Sequence, residues 1–263
     1  MEKIEKVARE AALRAGELQK SRVGKVKSLD YKSAFNIVTD VDKASEALII
    51  ETIKASFPND AFLAEESGAE SGKQESARRW IIDPLDGTTN FAHSYPFFCV
   101  SIGVEEKGEM VLGVVYNAIA SEIFVASQGQ GATLNGEKIA VSNRTTLDTS
   151  LLATGFPPDT LKSVHHNMDS FRTITNMCHG VRRDGSAALD LCFVASGRLD
   201  GFWERKLAPW DVAAGSLIVR EAGGKVTNLE DGPLDMTSGH ILATNGKIHE
   251  EVVKALALST AAK

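Results

Sequence analysis

The sequence predicts an α+β protein in which sheets and helices stack in layers. Three observations carry that reading. Residues 97–141 are a run of short apolar segments, rich in Val, Ile and Phe, separated by turn residues, as in an antiparallel sheet. Two stretches before residue 57 repeat apolar residues at helical spacing. Beyond about residue 150, short strand candidates alternate with helix candidates. The 263 residues suit one large body or two closely joined halves. No linker-like composition separates the halves, so the division is placed at 1–150 and 151–263, with a cleft between them.

The elements follow in chain order. Ile4, Val7, Ala8, Ala11, Ala15 and Leu18 form one helical stripe. A second helix is expected over 42–56, with Ile49, Ile50, Ile53 and Phe57 in phase and Pro58 ending it. Residues 61–64 read as a short strand that delivers Glu65 and Glu66. SGAESGKQES (67–76) is polar and rich in Gly and Ser, which predicts a mobile loop. Strands are expected over 79–82, 97–105, 110–117 and 122–126, and Asn135-Gly136 marks a tight turn between 132–134 and 138–141. In the second half, strands are expected over 151–154, 180–183, 201–203, 225–227 and 241–244, and helices over 160–177, 186–196, 211–222 and 247–257. The chain shows no internal repeat and no low-complexity segment.

Composition narrows the functional classes. A net charge of −6 and the absence of a Lys/Arg stripe disfavour nucleic acid and anionic membranes as bulk partners. The apolar runs are too short to span a bilayer, and the charged N-terminus lacks the apolar core of a secretory signal. The three cysteines show no CxxC spacing, and Cys99 and Cys192 lie in apolar contexts. They read as buried thiols in a reducing cytoplasm.

The chemistry concentrates in WIIDPLDGTTNF (80–91). Asp83 and Asp86 repel each other and are costly to desolvate at the edge of a core. Pro84 fixes φ and bends the chain, so both carboxylates and the Leu85 carbonyl can aim at one point. Such a hard oxygen cage suits Mg²⁺, and the six histidines show no zinc-site spacing. The plainer reading of DxxD is a solvated turn. Gly87-Thr88-Thr89 adds backbone N–H groups that bind an anion if a helix starts there. Glu65 is a third carboxylate able to converge, or a surface acid. Asp211, after Pro209 and Trp210, reads as a helix N-cap, a role compatible with metal ligation. Asp42 reads as a helix-start acid. Cations beside an anion site describe phosphoryl chemistry.

WIIDPLDGTTNFAHSYPFFCVSIG resembles the signature of the inositol monophosphatase family, and LAEESG and FWERKLAPWDVAAGSLIVREAGG resemble that family's other two motifs. GSAALDLCFVASGRLDG also fits, so the resemblance covers nearly the whole chain. It implies a layered αβαβα sandwich of the sugar-phosphatase type, with the active site in the cleft between two halves. It implies Mg²⁺-dependent, lithium-sensitive hydrolysis of a phosphate monoester, with Mn²⁺ as a possible substitute, in a homodimer. Glu65, Asp83 and the Leu85 carbonyl would hold one ion, Asp83, Asp86 and Asp211 a second, and a third would sit near Glu65. Gly87 and Thr88 would bind phosphate. Thr88 and Asp42 would orient the attacking water, beside the metal ligand Glu65. Gly185, Ser186, Ala187 and Glu204 would meet the alcohol part of the substrate, with Asp86 and Asp211 on the metal side. TNF and AHSYPF after the core look like the inositol-phosphate branch, with fructose-1,6-bisphosphate or other sugar phosphates as the alternative. A regulatory binding role is a third possibility. Arg182-Arg183 reads as a surface pair or a subunit contact.

Overall fold

The computed structural model describes residues 1–25, 29–33, 36–70, 77–157 and 167–261. The chain opens with helix α1 (Glu2–Arg22), which buries Ile4, Val7, Ala8, Ala11, Ala12 and Ala15. β1 (Leu29–Ser33) and β2 (Asn36–Thr39) then pair antiparallel, a hairpin that no apolar alternation announced. α2 (Asp40–Lys54) starts two residues before the expected position, because Thr39 caps it. β3 (Ala61–Ala64) is as expected. β4 (Gly68–Glu70) corrects part of the expected loop: the chain turns straight back, pairing Ala64 with Gly68 and Phe62 with Glu70. The rest of that loop, residues 71–76, lies outside the described residues.

β5 (Arg78–Asp86), the short helix α3 (Thr88–Ala92), β6 (Cys99–Glu106), β7 (Glu109–Asn117), β8 (Glu122–Ser127), β9 (Gly131–Leu134) and β10 (Glu137–Ile139) follow. Together with β3 and β4 the strands form an eight-stranded sheet in the order β10-β9-β8-β7-β6-β5-β3-β4. Among the described residues, only the β3–β5 pair of this sheet is parallel. β11 (Leu151–Thr154), α4 (Met168–Thr175), β12 (Gly180–Arg182), α5 (Ala187–Ala195), β13 (Gly201–Glu204), α6 (Pro209–Glu221), β14 (Lys225–Thr227), β15 (Ile241–Thr244) and α7 (His249–Ala261) complete the chain. Their five strands form a second sheet in the order β12-β11-β13-β15-β14. α4 is shorter than the expected 160–177, and residues 158–166 lie outside the described residues.

The strand period of two assigns each sheet face to a core. On β5, Trp80 and Ile82 face α1 and α2, meeting Ile4, Val7, Ile49 and Ile53. Ile81 faces the other way, into a core with Leu189, Leu191, Val212 and Leu217 of α5 and α6. That same core reaches Phe202 and Ile241 of the second sheet. α5 and α6 are apolar on nearly all sides because sheets cover them above and below. Ile174 of α4 and Val252 and Leu256 of α7 close the far face, over Leu152, Trp203 and Leu242. The layers therefore run α, β, α, β, α. Each large side chain fully buried between them contributes about 1.5–3 kcal/mol. Cys99 and Cys192 are buried free thiols, as expected. Among the described residues, no helix is long and apolar enough to cross a membrane.

Candidate active site

β5 carries the first two acids. In a regular strand, residues three apart face opposite sides, so Asp83 and Asp86 would diverge. The ladder with β6 instead steps from Asp83↔Ser101 to Asp86↔Cys99, three residues against two. Pro84, lacking an N–H, sits in this bulge, and the extra residue returns Asp86 to the side of Asp83. The strand was expected to end at residue 82; it runs through Asp86, and the redirection happens inside it. Local bonds then fix the segment. Asp83 Oδ1 accepts the Leu85 N–H at 2.9 Å. Gln19 Nε2 donates to the Pro84 carbonyl at 2.6 Å. Thr88 Oγ1 lies 3.0 Å from the Leu85 carbonyl oxygen.

Asp211 arrives from the first turn of α6. Each of Asp83, Asp86 and Asp211 offers a carboxylate oxygen within 4.8 Å of the others. The N-cap expectation for Asp211 is corrected: Ala208 is the N-cap, and Asp211 stands three residues inside, accepting the Ala208 N–H at 2.6 Å. Pro209 takes the first helical position, where its missing N–H costs nothing. Asp86 is tied to α5: its Oδ2 accepts Ser186 Oγ at 2.6 Å and the Ala188 N–H at 2.7 Å. Ser186 also caps α5 by accepting the Leu189 N–H. Its hydroxyl therefore serves Asp86 and the helix end.

Asp42 is buried near the start of α2. Its Oδ2 accepts the Thr39 N–H at 2.8 Å and Thr39 Oγ1 at 2.5 Å, and its Oδ1 accepts Thr88 Oγ1 at 2.8 Å. Glu65 follows β3, and its N–H extends the ladder to the Ile82 carbonyl at 3.2 Å. Glu65 stands beside the group of three acids, and its charge acts on Asp42, Asp83, Asp86 and Asp211.

Burial pushes all four aspartates above the ordinary carboxylate range. For Asp83, the charges of Glu65, Asp86 and Asp211 add to burial. For Asp211, the Asp86 charge is the next cause. For Asp42, the bonds from Thr39 and Thr88 pull back part of the rise. For Asp86, the bonds from Ser186 and Ala188 do the same, leaving it at about 6. Buried acids this close ionise together only beside a cation. The donors are carboxylate oxygens, the chemistry of Mg²⁺ or Mn²⁺. The residues present fit a hard divalent ion.

Gly87 starts α3 at φ 94°, and a Cβ there would lie 2.9 Å from the Phe97 carbonyl oxygen, so glycine is required on both counts. The adjoining pocket has a volume of about 220 Å³ and is lined by Asp86, Gly87, Thr88, Gly185, Ser186, Ala187, Glu204 and Asp211 from the expected set. Arg183, Asp190, Asn90 and Gly155 also line it. Arg183 is exposed, as a surface residue was expected to be, and it also forms a wall of this pocket. Its charge acts on Asp190 and Glu204. Burial, then the charges of Asp211 and Asp86, push Glu204 up to about 8. Asp190 is buried, and its Oδ1 has no hydrogen-bond partner. Asn90 Nδ2 donates to the Phe97 and Asp184 carbonyls at 2.7 and 2.8 Å, joining α3 to the loop before α5.

Sequence reasoning passed over Thr39, Asn90 and Asp190. Thr39 had a signal, the T-x-x-D pattern of a capping box over 39–42. Asn90 and Asp190 had none, because only the fold brings them to the pocket wall.

The model of the inositol monophosphatase family matches residues 1–261. A Synechocystis sp. protein named inositol-1-monophosphatase is 52% identical over 252 residues, covering 95% of this chain and 88% of that one. An Escherichia coli K12 protein named Nus factor SuhB is 47% identical over 225 residues, covering 86% and 82% respectively. The solved inositol monophosphatase of Anabaena (Nostoc) sp. PCC 7120 superposes with a TM-score of 0.89 at 46% identity, covering 98% of this chain and 96% of that one. With these likenesses running the length of a fold that gathers its acids at one pocket, the chain belongs to the inositol monophosphatase family and is a phosphoric monoester hydrolase.

Proposed function

We propose that the protein hydrolyses myo-inositol monophosphate to inositol and phosphate in a Mg²⁺-dependent reaction. The observation that carries this reading is the convergence of Asp83, Asp86 and Asp211 within 4.8 Å of one another, the last two in the wall of a pocket that Glu204 also lines. In this reading residues 1–150 bring the phosphate and most metal ligands, and 151–263 bring Asp211 and the alcohol-binding wall. Glu65, Asp83 and the Leu85 carbonyl would hold one ion, and Asp83, Asp86 and Asp211 another, with a third near Glu65. Bound there, the ions supply Lewis acidity and offset the charge of the phosphate and the departing oxygen.

The chain's own groups do the positioning. Gly87 and Thr88 turn backbone N–H groups toward the phosphate at the start of α3. Thr88 Oγ1, donating to Asp42, presents a lone pair that orients a water for attack on phosphorus. Asp42 holds that hydroxyl in place because Thr39 holds Asp42. Glu204 meets the ring hydroxyls, and Gly185, Ser186 and Ala187 shape the wall beside them. A carboxyl group facing vicinal hydroxyls suits a polyol and disfavours an apolar leaving group.

A panel of phosphate esters with and without Mg²⁺ tests the reading. Inositol 1-phosphate is expected to give the highest kcat/KM, with activity dependent on Mg²⁺ and inhibited by lithium. A preference for fructose 1,6-bisphosphate would replace the substrate, and activity independent of divalent ions would overturn the mechanism. A homodimer and a cytoplasmic location accompany this reading. A regulatory binding role beside hydrolysis draws support from the name of the Escherichia coli relative, a Nus factor. A pull-down from the source cell tests it.

A further inference from the structure

α2 carries two buried carboxylates one turn apart, Asp42 and Glu46, at 1% and 5% exposure. The first serves Thr39 and Thr88. The second reaches the turn that follows Glu65. Glu46 Oε2 accepts the Glu66 N–H at 2.8 Å, and its Oε1 accepts the Ser67 N–H at 2.9 Å. One carboxylate thus takes two successive backbone donors, one on each oxygen, in charge-assisted bonds. These donors belong to the turn between β3 and β4, closed by the Ala64↔Gly68 pair. The preceding N–H, that of Glu65, is held by the Ile82 carbonyl on β5. Three successive N–H groups are therefore fixed, the first by the strand that bears Asp83 and the next two by the helix that bears Asp42.

We propose that Glu46 is a positioning residue for the metal site: by clamping the backbone at Glu66 and Ser67 it sets where Glu65 stands against Asp83, Asp86 and Asp211. The inference rests on the metal-dependent reading above. The Glu65 charge acts on each of those three aspartates, so the placement of that carboxylate matters to the whole group. A clamp serving only the fold would stabilise the hairpin and leave ion affinity alone.

Mn²⁺ titration of the purified full chain, followed by electron paramagnetic resonance, separates the two. Glu46→Ala removes both acceptors and is expected to weaken Mn²⁺ binding about tenfold, the scale on which loss of a ligand-orienting partner acts. Glu46→Gln keeps one acceptor and the side-chain volume and is expected to weaken it by a smaller factor. Circular dichroism of the metal-free variants reports whether they fold; where Glu46→Ala does not, Glu46→Gln carries the test. Thr52→Ala is the control: it removes a bond between α2 and Arg14, remote from the turn, and should lower Tm without changing Mn²⁺ affinity. If the parent binds Mn²⁺ and both Glu46 variants bind it within about twofold as well while Tm falls, this inference alone is overturned. A parent chain that takes up no Mn²⁺ overturns the metal reading and this inference together.

Discussion

Two regions of the site are built by opposite rules, the acidic group at the end of β5 and the pocket wall around Glu204. At the β5 end, nearly every polar group is answered by the protein. Asp83 takes the Leu85 N–H, Asp86 takes Ser186 and Ala188, Asp42 takes Thr39 and Thr88, and Asp211 takes the Ala208 N–H. In the wall around Glu204, the Asp190 Oδ1 has no partner, and Glu204 is pushed up to about 8 beside the bare Gly155. The first is fixed in advance, as a site for ions and a developing charge must be. The second keeps unspent hydrogen-bonding capacity, which suits hydroxyls that arrive with the substrate. The contrast predicts that substitutions at the β5 end lower kcat, whereas those at the Glu204 wall raise KM.

The largest effect belongs to Asp86→Asn. It removes a charge from the three-acid group, and kcat for inositol 1-phosphate should fall by roughly a thousandfold; full activity would break the comparison. Gly155→Ala tests the other region. Its new Cβ would fall on the Glu204 carboxylate, forcing that side chain aside. KM should rise about tenfold with kcat changing far less, the pattern of lost uniform binding; an equal loss in kcat would erase the distinction. The smallest effect is on stability. Asp86 and Glu204 sit at about 6 and about 8 against ordinary values of 3.8 and 4.5. With both raised, the native state keeps protons that the unfolded chain has released. That stability is fully present below the ordinary values and is lost as pH rises through about 6 and then about 8. Calorimetry of the metal-free protein should show Tm falling across that window. Added Mg²⁺ should recover the loss at the Asp86 end, by about 2.7 kcal/mol at a hundredfold excess over Kd, and should shrink the Glu204 part as well, because the Asp211 and Asp86 charges that help raise Glu204 are then offset.

The same contrast explains what could be read from the sequence. The β5 end was legible because its parts are near neighbours in the chain: Asp83, Leu85, Asp86, Gly87 and Thr88 fall within six residues. The layered fold was legible because helical stripes and apolar strands announce which faces are buried. The supports were not. Gln19, Glu46 and Asn90 are single polar residues whose partners lie 65, 20 and 94 positions away, so only tertiary packing gives them meaning. The bulge at Pro84 shows the same limit, since a bend could be predicted but not that β5 would continue through it. The β1–β2 hairpin lacked a strand signal, and β4 is a strand of Gly, Ala and Glu that composition assigns to a loop.

The central claim is that divalent ions relieve the mutual repulsion of the acids at the end of β5. A crystal soaked in Mn²⁺ and measured for anomalous scattering tests it most directly. The account predicts a peak bridged by Asp83, Asp86 and Asp211. A map with no peak there, from crystals in which those three carboxylates are ordered, would contradict it.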